Sequence, residues 1–214
     1  MSGIDRAALL AGIDRLTAAA ARDFGMLNAA DGALGDGDLG ITLDRGMKLV
    51  CEQKEALPED LGRALMLCAQ AFTRTSGSSY GTLLATGLMS MAKALKGETV
   101  VDAARTSELV AGARDAMMAR GKAELGNKTV LDSLESIVVA TRGSTGSRDV
   151  ADAACAAVDA ALDAFRDRQA QVGRARMFGE KTIGMDDPGM LAMRTIARAV
   201  AGRDQPLRAG SMPA

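Results

Sequence analysis

Residues 31–45 read DGALGDGDLGITLDR, where Asp31, Asp36 and Asp38 are interleaved with Gly32, Gly35, Gly37 and Gly40. Glycine turns the backbone where other residues cannot, so this run separates one helical pattern from the next. Upstream, Leu9, Ile13, Leu16 and Ala20 recur on one helical face, and Ser2 with Asp5 resembles a capping box. A first helix is predicted to about Phe24, and a second from about Gly40 to Glu55. The carboxylates pose a problem of their own. Two of them held ~4 Å apart cost about 4 kcal/mol at an effective dielectric of 20. Something must separate them or sit between them.

The same alternation continues along the chain. Pro58 suits the first turn of a third helix, in which Leu61, Leu65, Cys68 and Phe72 share a face. A fourth follows TRTSGSSYG and stops at Gly97. Further helices are predicted from Asp102 to Arg120, from Val130 to Arg142, from Asp149 to Gln169, and from near Pro188 to Gly202. No segment alternates with the period of a strand. The fold predicted is all-α: about eight antiparallel helices in an up-and-down barrel or bundle. It forms one domain over residues 1–202, with 203–214 a flexible C-terminal tail.

Composition supports that architecture and removes several functions. Apolar residues make up 48% of the 214, but aromatics only 2%, so the core must be built from Ala, Leu, Ile, Val and Met. Ala, Leu and Met are strong helix formers, and the methionines, Met89, Met91, Met117 and Met118 among them, are read as packing. A net charge of -1 without like-charge runs argues against nucleic acid. The absence of His excludes His-based acid–base chemistry and His-ligated metals. Three scattered cysteines without a CxxC pair read as buried thiols. MSGIDRAALL lacks the features of a signal peptide, and no apolar run approaches the ~18 residues of a membrane span. A cytoplasmic protein is expected.

The unusual sequence lies in the connections. DGALGDGDLG, TRTSGSSYG, RGKAELGNKT and GRARMFGEKTIGMDDPG follow helices one, three, five and seven. In an up-and-down bundle all four meet at one end. The first offers hard oxygen ligands suited to Mg²⁺ or Ca²⁺, although the EF-hand order is missing. An acidic, solvated turn that caps the second helix is the alternative. The second is a natural phosphate cradle at a helix N-terminus, or a plain capping loop. The fourth supplies Arg174, Arg176 and Lys181 as phosphate partners, or ordinary surface charge. Lys122, Asn127 and Lys128 in the third read as no more than turn and surface residues.

Taken together, the four segments resemble the nucleotide-binding L subunit of dihydroxyacetone kinases, the DhaL or Dak phosphatase-like family, over nearly the whole chain. The acidic loop matches D-x4-D-x-D-H-G through Asp31, Asp36 and Asp38. Gly77, Ser78 and Ser79 match a Gly-Ser loop, with Tyr80 where the family usually has Gly. RGKAELGNKT and GRARMFGEKTIGMDDPG match the remaining two motifs. The resemblance implies an eight-helix barrel with the nucleotide at one end and Mg²⁺ beneath its phosphates. Asp31, Asp36 and Asp38 would ligate the metal and, with Arg174, form the catalytic set. Leu39, Gly40, Thr42, Gly77, Ser78, Ser79, Gly121, Val130, Arg174, Asp187, Pro188 and Gly189 match positions around ATP or ADP. Leu39 and Thr42 replace the family's usual His and Asn, and Asn127 its Asp.

The function implied is phosphoryl transfer, through Mg-bound ATP or ADP, to a short ketose such as dihydroxyacetone or erythrulose. A separate K-type subunit would hold that ketose. An M-type phosphocarrier as donor and a homodimer are both left open, and neither nucleic acid nor membrane is expected as a partner. The competing reading is a nucleotide-binding regulatory module without transfer. A purely structural bundle is a third, and it alone predicts no effect of Mg-ADP on melting.

Overall fold

The structure, a computed structural model, describes residues 3–75 and 77–203. Among these residues it contains eight α-helices: α1 (Arg6–Leu34), α2 (Leu39–Glu52), α3 (Leu61–Thr75), α4 (Ser79–Ala94), α5 (Thr106–Gly121), α6 (Val130–Thr141), α7 (Ser147–Arg166) and α8 (Pro188–Val200). Each packs on the next, and α8 closes back onto α1. The product is the closed up-and-down barrel predicted from the sequence.

Two apolar clusters fill it. One joins α1, α2, α3 and α8 through residues such as Leu27, Leu43, Phe72 and Met190. The other joins α5, α6 and α7 through Met117, Leu134, Ile137 and Val158, with Met193 of α8. Tyr80 and Leu84 of α4 pack against both. Alanine lets the helices approach closely: Ala19, Ala20, Ala64 and Ala192 are completely buried. Methionine fills the remaining irregular gaps, as expected, although Met89 is exposed. Cys68 and Cys155 are buried and Cys51 half-buried, all as free thiols.

The boundaries differ from expectation in instructive ways. Helix α1 runs ten residues beyond Phe24, straight through Gly25 and Gly32. A helical glycine costs about 1 kcal/mol, but Leu27 and Leu34 continue the buried face past both. The burial of two leucines, about 1.5–3 kcal/mol each, outweighs that cost. The predicted first loop is thereby cut to Gly35–Asp38, and Asp31 sits on the last turn of a helix. At the other end of α1 the cap is Asp5, whose carboxylate accepts from the Ala8 amide at 2.9 Å; Ser2 of the expected capping box lies outside the described residues.

Pro58 does not occupy a first turn. Asp60 caps α3 instead, accepting from the Arg63 amide at 3.0 Å. Helix α2 stops at Glu52, and Lys54–Ala56 forms a separate 3₁₀ turn. Ala103–Arg105 likewise precedes α5 as a 3₁₀ turn, and α7 ends at Arg166 rather than Gln169. The absence of strands also needs correcting: β1 (Ile4–Asp5) pairs antiparallel with β2 (Val100–Val101). Two residues on each side are too few for sequence periodicity to reveal. This ribbon ties the start of α1 to the α4–α5 connection, at the end remote from the four unusual loops. Apart from Arg203, the predicted tail lies outside the described residues.

Candidate functional site

All four unusual loops line one cavity of about 830 Å³, within the range typical of small-molecule sites. Because these loops follow odd-numbered helices, every even-numbered helix starts there. Leu39, Ser79, Val130 and Pro188, the first residues of α2, α4, α6 and α8, all line its wall. Four helix N-termini bring their positive dipole ends to one space. Such a surface favours an anion.

The acidic cluster stands beside it. One carboxylate oxygen from each of Asp31, Asp36 and Asp38 can be chosen so that all lie within 4.8 Å of one another. Asp31 Oδ2 accepts from the amides of Asp38, at 2.9 Å, and Leu39, at 3.3 Å. It therefore caps α2, which realises the capping alternative for this one carboxylate. Gly35 makes the room, since a Cβ there would come 2.7 Å from Asp31 Oδ1. Gly37, at φ +75°, supplies the left-handed turn that brings Asp36 and Asp38 back. Asp38 is the N-cap residue of α2 but makes no capping bond with its side chain. Asp36 pairs with Arg174 from the α7–α8 connection, both groups being about half exposed.

Electrostatically the cluster is only partly compensated. The Asp38 carboxyl is held above its usual range, first by burial and then by the charges of Asp36 and Asp31; Arg174 pulls the other way. The donor set is entirely hard oxygen, which suits Mg²⁺ or Ca²⁺ rather than a softer metal. The cavity thus combines carboxylates that call for a cation with helix termini that call for an anion. A metal–phosphate ligand satisfies both.

The remaining predicted residues divide. Gly77, Ser78, Ser79, Gly121, Asp187 and Gly189 line the cavity, as do Arg174 and Arg176. Ser78 Oγ accepts from the Gly81 amide at 3.3 Å and so caps α4. Lys181 does not reach the cavity lining. Neither do Gly40 and Thr42. Gly40 packs against the backbone of α1, and Thr42 is buried on α2 at 5% exposure. Leu39 does line the cavity, but its side chain belongs to the larger core cluster.

Asp187 caps α8 by accepting from the Met190 amide at 2.9 Å. Burial pushes its carboxyl up to about 7, against the pull of that amide and of the Lys128 ammonium. Between the ordinary value of 3.8 and about 7 the folded chain keeps a proton that the unfolded chain releases. This group's contribution to stability therefore falls as pH rises through that window and levels off above it. The chain has no His, so few other groups change charge there. Asn caps a helix as well as Asp. Asp187→Asn is thus expected to flatten the decline in melting temperature between pH 5 and 8, by roughly 2 kcal/mol over the interval. Parallel curves for the two proteins would contradict the assignment.

Sequence reasoning missed several contributors. Arg120 and Tyr80 line the cavity, and the Tyr80 hydroxyl donates to the Gly189 carbonyl at 3.4 Å. Thr129 and Asp132 form a capping box at the start of α6, a pattern the T-x-x-D spacing could have revealed. Lys128 is not a surface residue: it is 1% exposed. No local signal marks that burial.

A family model described as the DAK2 domain matches residues 33–202. The chain belongs to the DAK2 domain family. Its DAK2 relatives include the "PEP-dependent dihydroxyacetone kinase 1, ADP-binding subunit DhaL" of Listeria innocua, 32% identical, with 82% of this chain and 85% of that subunit covered. This places it among the DhaL-type members. The L-erythrulose kinase of Pectobacterium atrosepticum is 29% identical, covering 85% of this chain and 33% of that enzyme. Among solved structures, the dihydroxyacetone kinase from C. freundii in complex with AMP-PNP and Mg²⁺ superposes with a TM-score of 0.72 at 25% identity. The match covers 92% of this chain and 34% of the kinase, about a third of that enzyme's length.

Proposed function

We propose that this chain is the nucleotide-holding subunit of a dihydroxyacetone-type kinase, which passes a phosphoryl group from Mg-bound ATP or ADP to a short ketose on a separate K-type subunit. The observation that carries the reading is the convergence of three carboxylates and four helix N-termini on one cavity. Membership of the DhaL type supports it, because the Listeria relative is by name an ADP-binding subunit.

In this reading Asp31, Asp36 and Asp38 hold Mg²⁺, and Ser78, Ser79 and Arg174 hold phosphate oxygens. Asp187, Pro188 and Gly189, with Gly121 and Val130, enclose the rest of the nucleotide. The magnesium, when bound, neutralises phosphate charge; phosphoryl transfer needs positioning and neutralisation more than covalent help from the protein. Arg174 then has two partners to choose from, Asp36 or an incoming phosphate, and the fixed amides at the helix termini need no reorganisation. The ketose and its activating base would come from the K-type partner, consistent with a chain that contains no His. A phosphocarrier protein could recharge a resident ADP, and the system would operate in the cytoplasm. The relative that phosphorylates erythrulose supports a C3–C4 ketose as acceptor.

Calorimetric titration with ADP and with ATP, each with and without Mg²⁺, tests this directly. Binding that requires Mg²⁺ is the expected result. ADP held far more tightly than ATP would identify a resident cofactor; comparable affinities would identify an exchanging substrate. Absence of binding to either would overturn the reading. Binding without ketose phosphorylation, in the presence of a K-type partner, would favour the regulatory module instead.

A further inference from the structure

We propose that Lys128 is a positioning residue for this cavity: its buried ammonium clamps both ends of the segment that carries Arg174, and so fixes that guanidinium above the acidic cluster. The proposal rests on the reading of the cavity as a Mg–nucleotide site. Lys128 Nζ donates to three carbonyls, those of Arg166 at 2.9 Å, Arg168 at 2.8 Å and Thr182 at 2.7 Å. An ammonium has three donors, and all three are used. Its backbone is left-handed, at φ +62°, which is uncommon for a residue with a long side chain. That turn directs the side chain inward just before the capping box of α6.

The three carbonyls span one excursion of the chain. Arg166 and Arg168 mark its departure from α7, and Thr182 marks its return. Two further bonds close the same neck: the Gly184 amide donates to the Arg166 carbonyl at 2.9 Å, and the Ala170 amide to Thr182 Oγ1 at 2.9 Å. Between the ends lie Gly173 and Arg174, on the cavity wall. Lys128 does not itself line the cavity, so it acts through the segment rather than on a ligand. A cation at the C-terminal end of α7 is also favourably placed for that helix. Without the ammonium, the Arg168 carbonyl and the buried Thr182 carbonyl would lose this donor and the Arg166 carbonyl would keep only the Gly184 amide, so the neck would loosen.

The test is a double-mutant cycle on Mg-ADP affinity with wild type, Lys128→Met, Arg174→Ala and the double variant, together with trypsin cleavage after Arg174 and Arg176. Lys128→Met is expected to weaken Mg-ADP by ~10- to 100-fold, comparable to Arg174→Ala. The double variant should lose little more than either single one, because both remove the same contact. Cleavage after Arg174 and Arg176 should accelerate at temperatures well below melting. Fully additive losses, or wild-type affinity in a folded Lys128→Met protein, would overturn the clamp. A purely structural lysine would lower the melting temperature without coupling to Arg174. If Lys128→Met does not fold, Lys128→Gln keeps two of the three donors at a shorter reach, and the same coupling to Arg174→Ala is read from it. If wild type binds no Mg-ADP, the functional reading fails on its own. The protease result then decides the clamp, and unchanged cleavage defeats it.

Discussion

Asp36→Asn is expected to weaken Mg-ADP binding by at least about a hundredfold and to abolish phosphoryl transfer, while the melting temperature of the nucleotide-free protein barely moves. Removal of residues that merely orient a metal's ligands already costs ~10- to 100-fold, and loss of a ligand's charge should cost no less. The fold has little stake in this side chain. Asp36 is 44% exposed, and its partner Arg174 is 56% exposed. An ion pair so solvated contributes about 0–1 kcal/mol. Asp31 makes a useful contrast, because it both belongs to the cluster and caps α2. Asp31→Ala should therefore affect binding and stability together. Wild-type turnover by Asp36→Asn, assayed with a K-type partner, would sink the metal assignment.

Gly40→Ala is expected to lower the melting temperature by roughly 6–12 °C, whether or not nucleotide is present. A Cβ at this position would come 2.3 Å from the Phe24 carbonyl oxygen and 2.8 Å from Asn28 Oδ1. The first obstacle is helix backbone, which cannot step aside by changing rotamer. The second is committed, since Asn28 Oδ1 accepts from the Ile41 amide at 3.2 Å. Overpacking against such a contact costs about 3 kcal/mol, and each kcal/mol corresponds to about 2–4 °C in a chain of this size. Gly77→Ala is the control, because a Cβ there meets nothing within 4 Å. The resemblance put Gly40 beside the nucleotide; the packing gives it a different task, the close approach of α1 and α2. An unchanged melting temperature with impaired Mg-ADP binding would restore the first assignment.

Much of the barrel is legible in the chain. Helical periodicity and Ala-rich composition identify the eight helices, and connectivity alone puts the loops after α1, α3, α5 and α7 at one end. The acidic run and Ser78-Ser79 are visible for the same reason: Gly and polar groups are conspicuous among apolar helices. Boundaries are less legible where a local cost is repaid at long range. Gly25 and Gly32 look like stops, yet the burial of Leu27 and Leu34 against other helices carries α1 through both. Thr42 sits inside the stretch taken to surround the nucleotide, yet the angular position of α2 turns it into the core.

Helix count, barrel connectivity and the identity of the three carboxylates can be read from the chain, because each depends on residues near one another in it. Which residues share a surface was settled by packing. It joined Asp36 to Arg174 across 138 positions and sank Lys128 beneath the α7–α8 connection. It also raised Asp187 to a pKa of about 7. Burial and long-range pairing are properties of packed helices, and a lysine in a loop carries no local mark of whether its ammonium will meet water or three carbonyls.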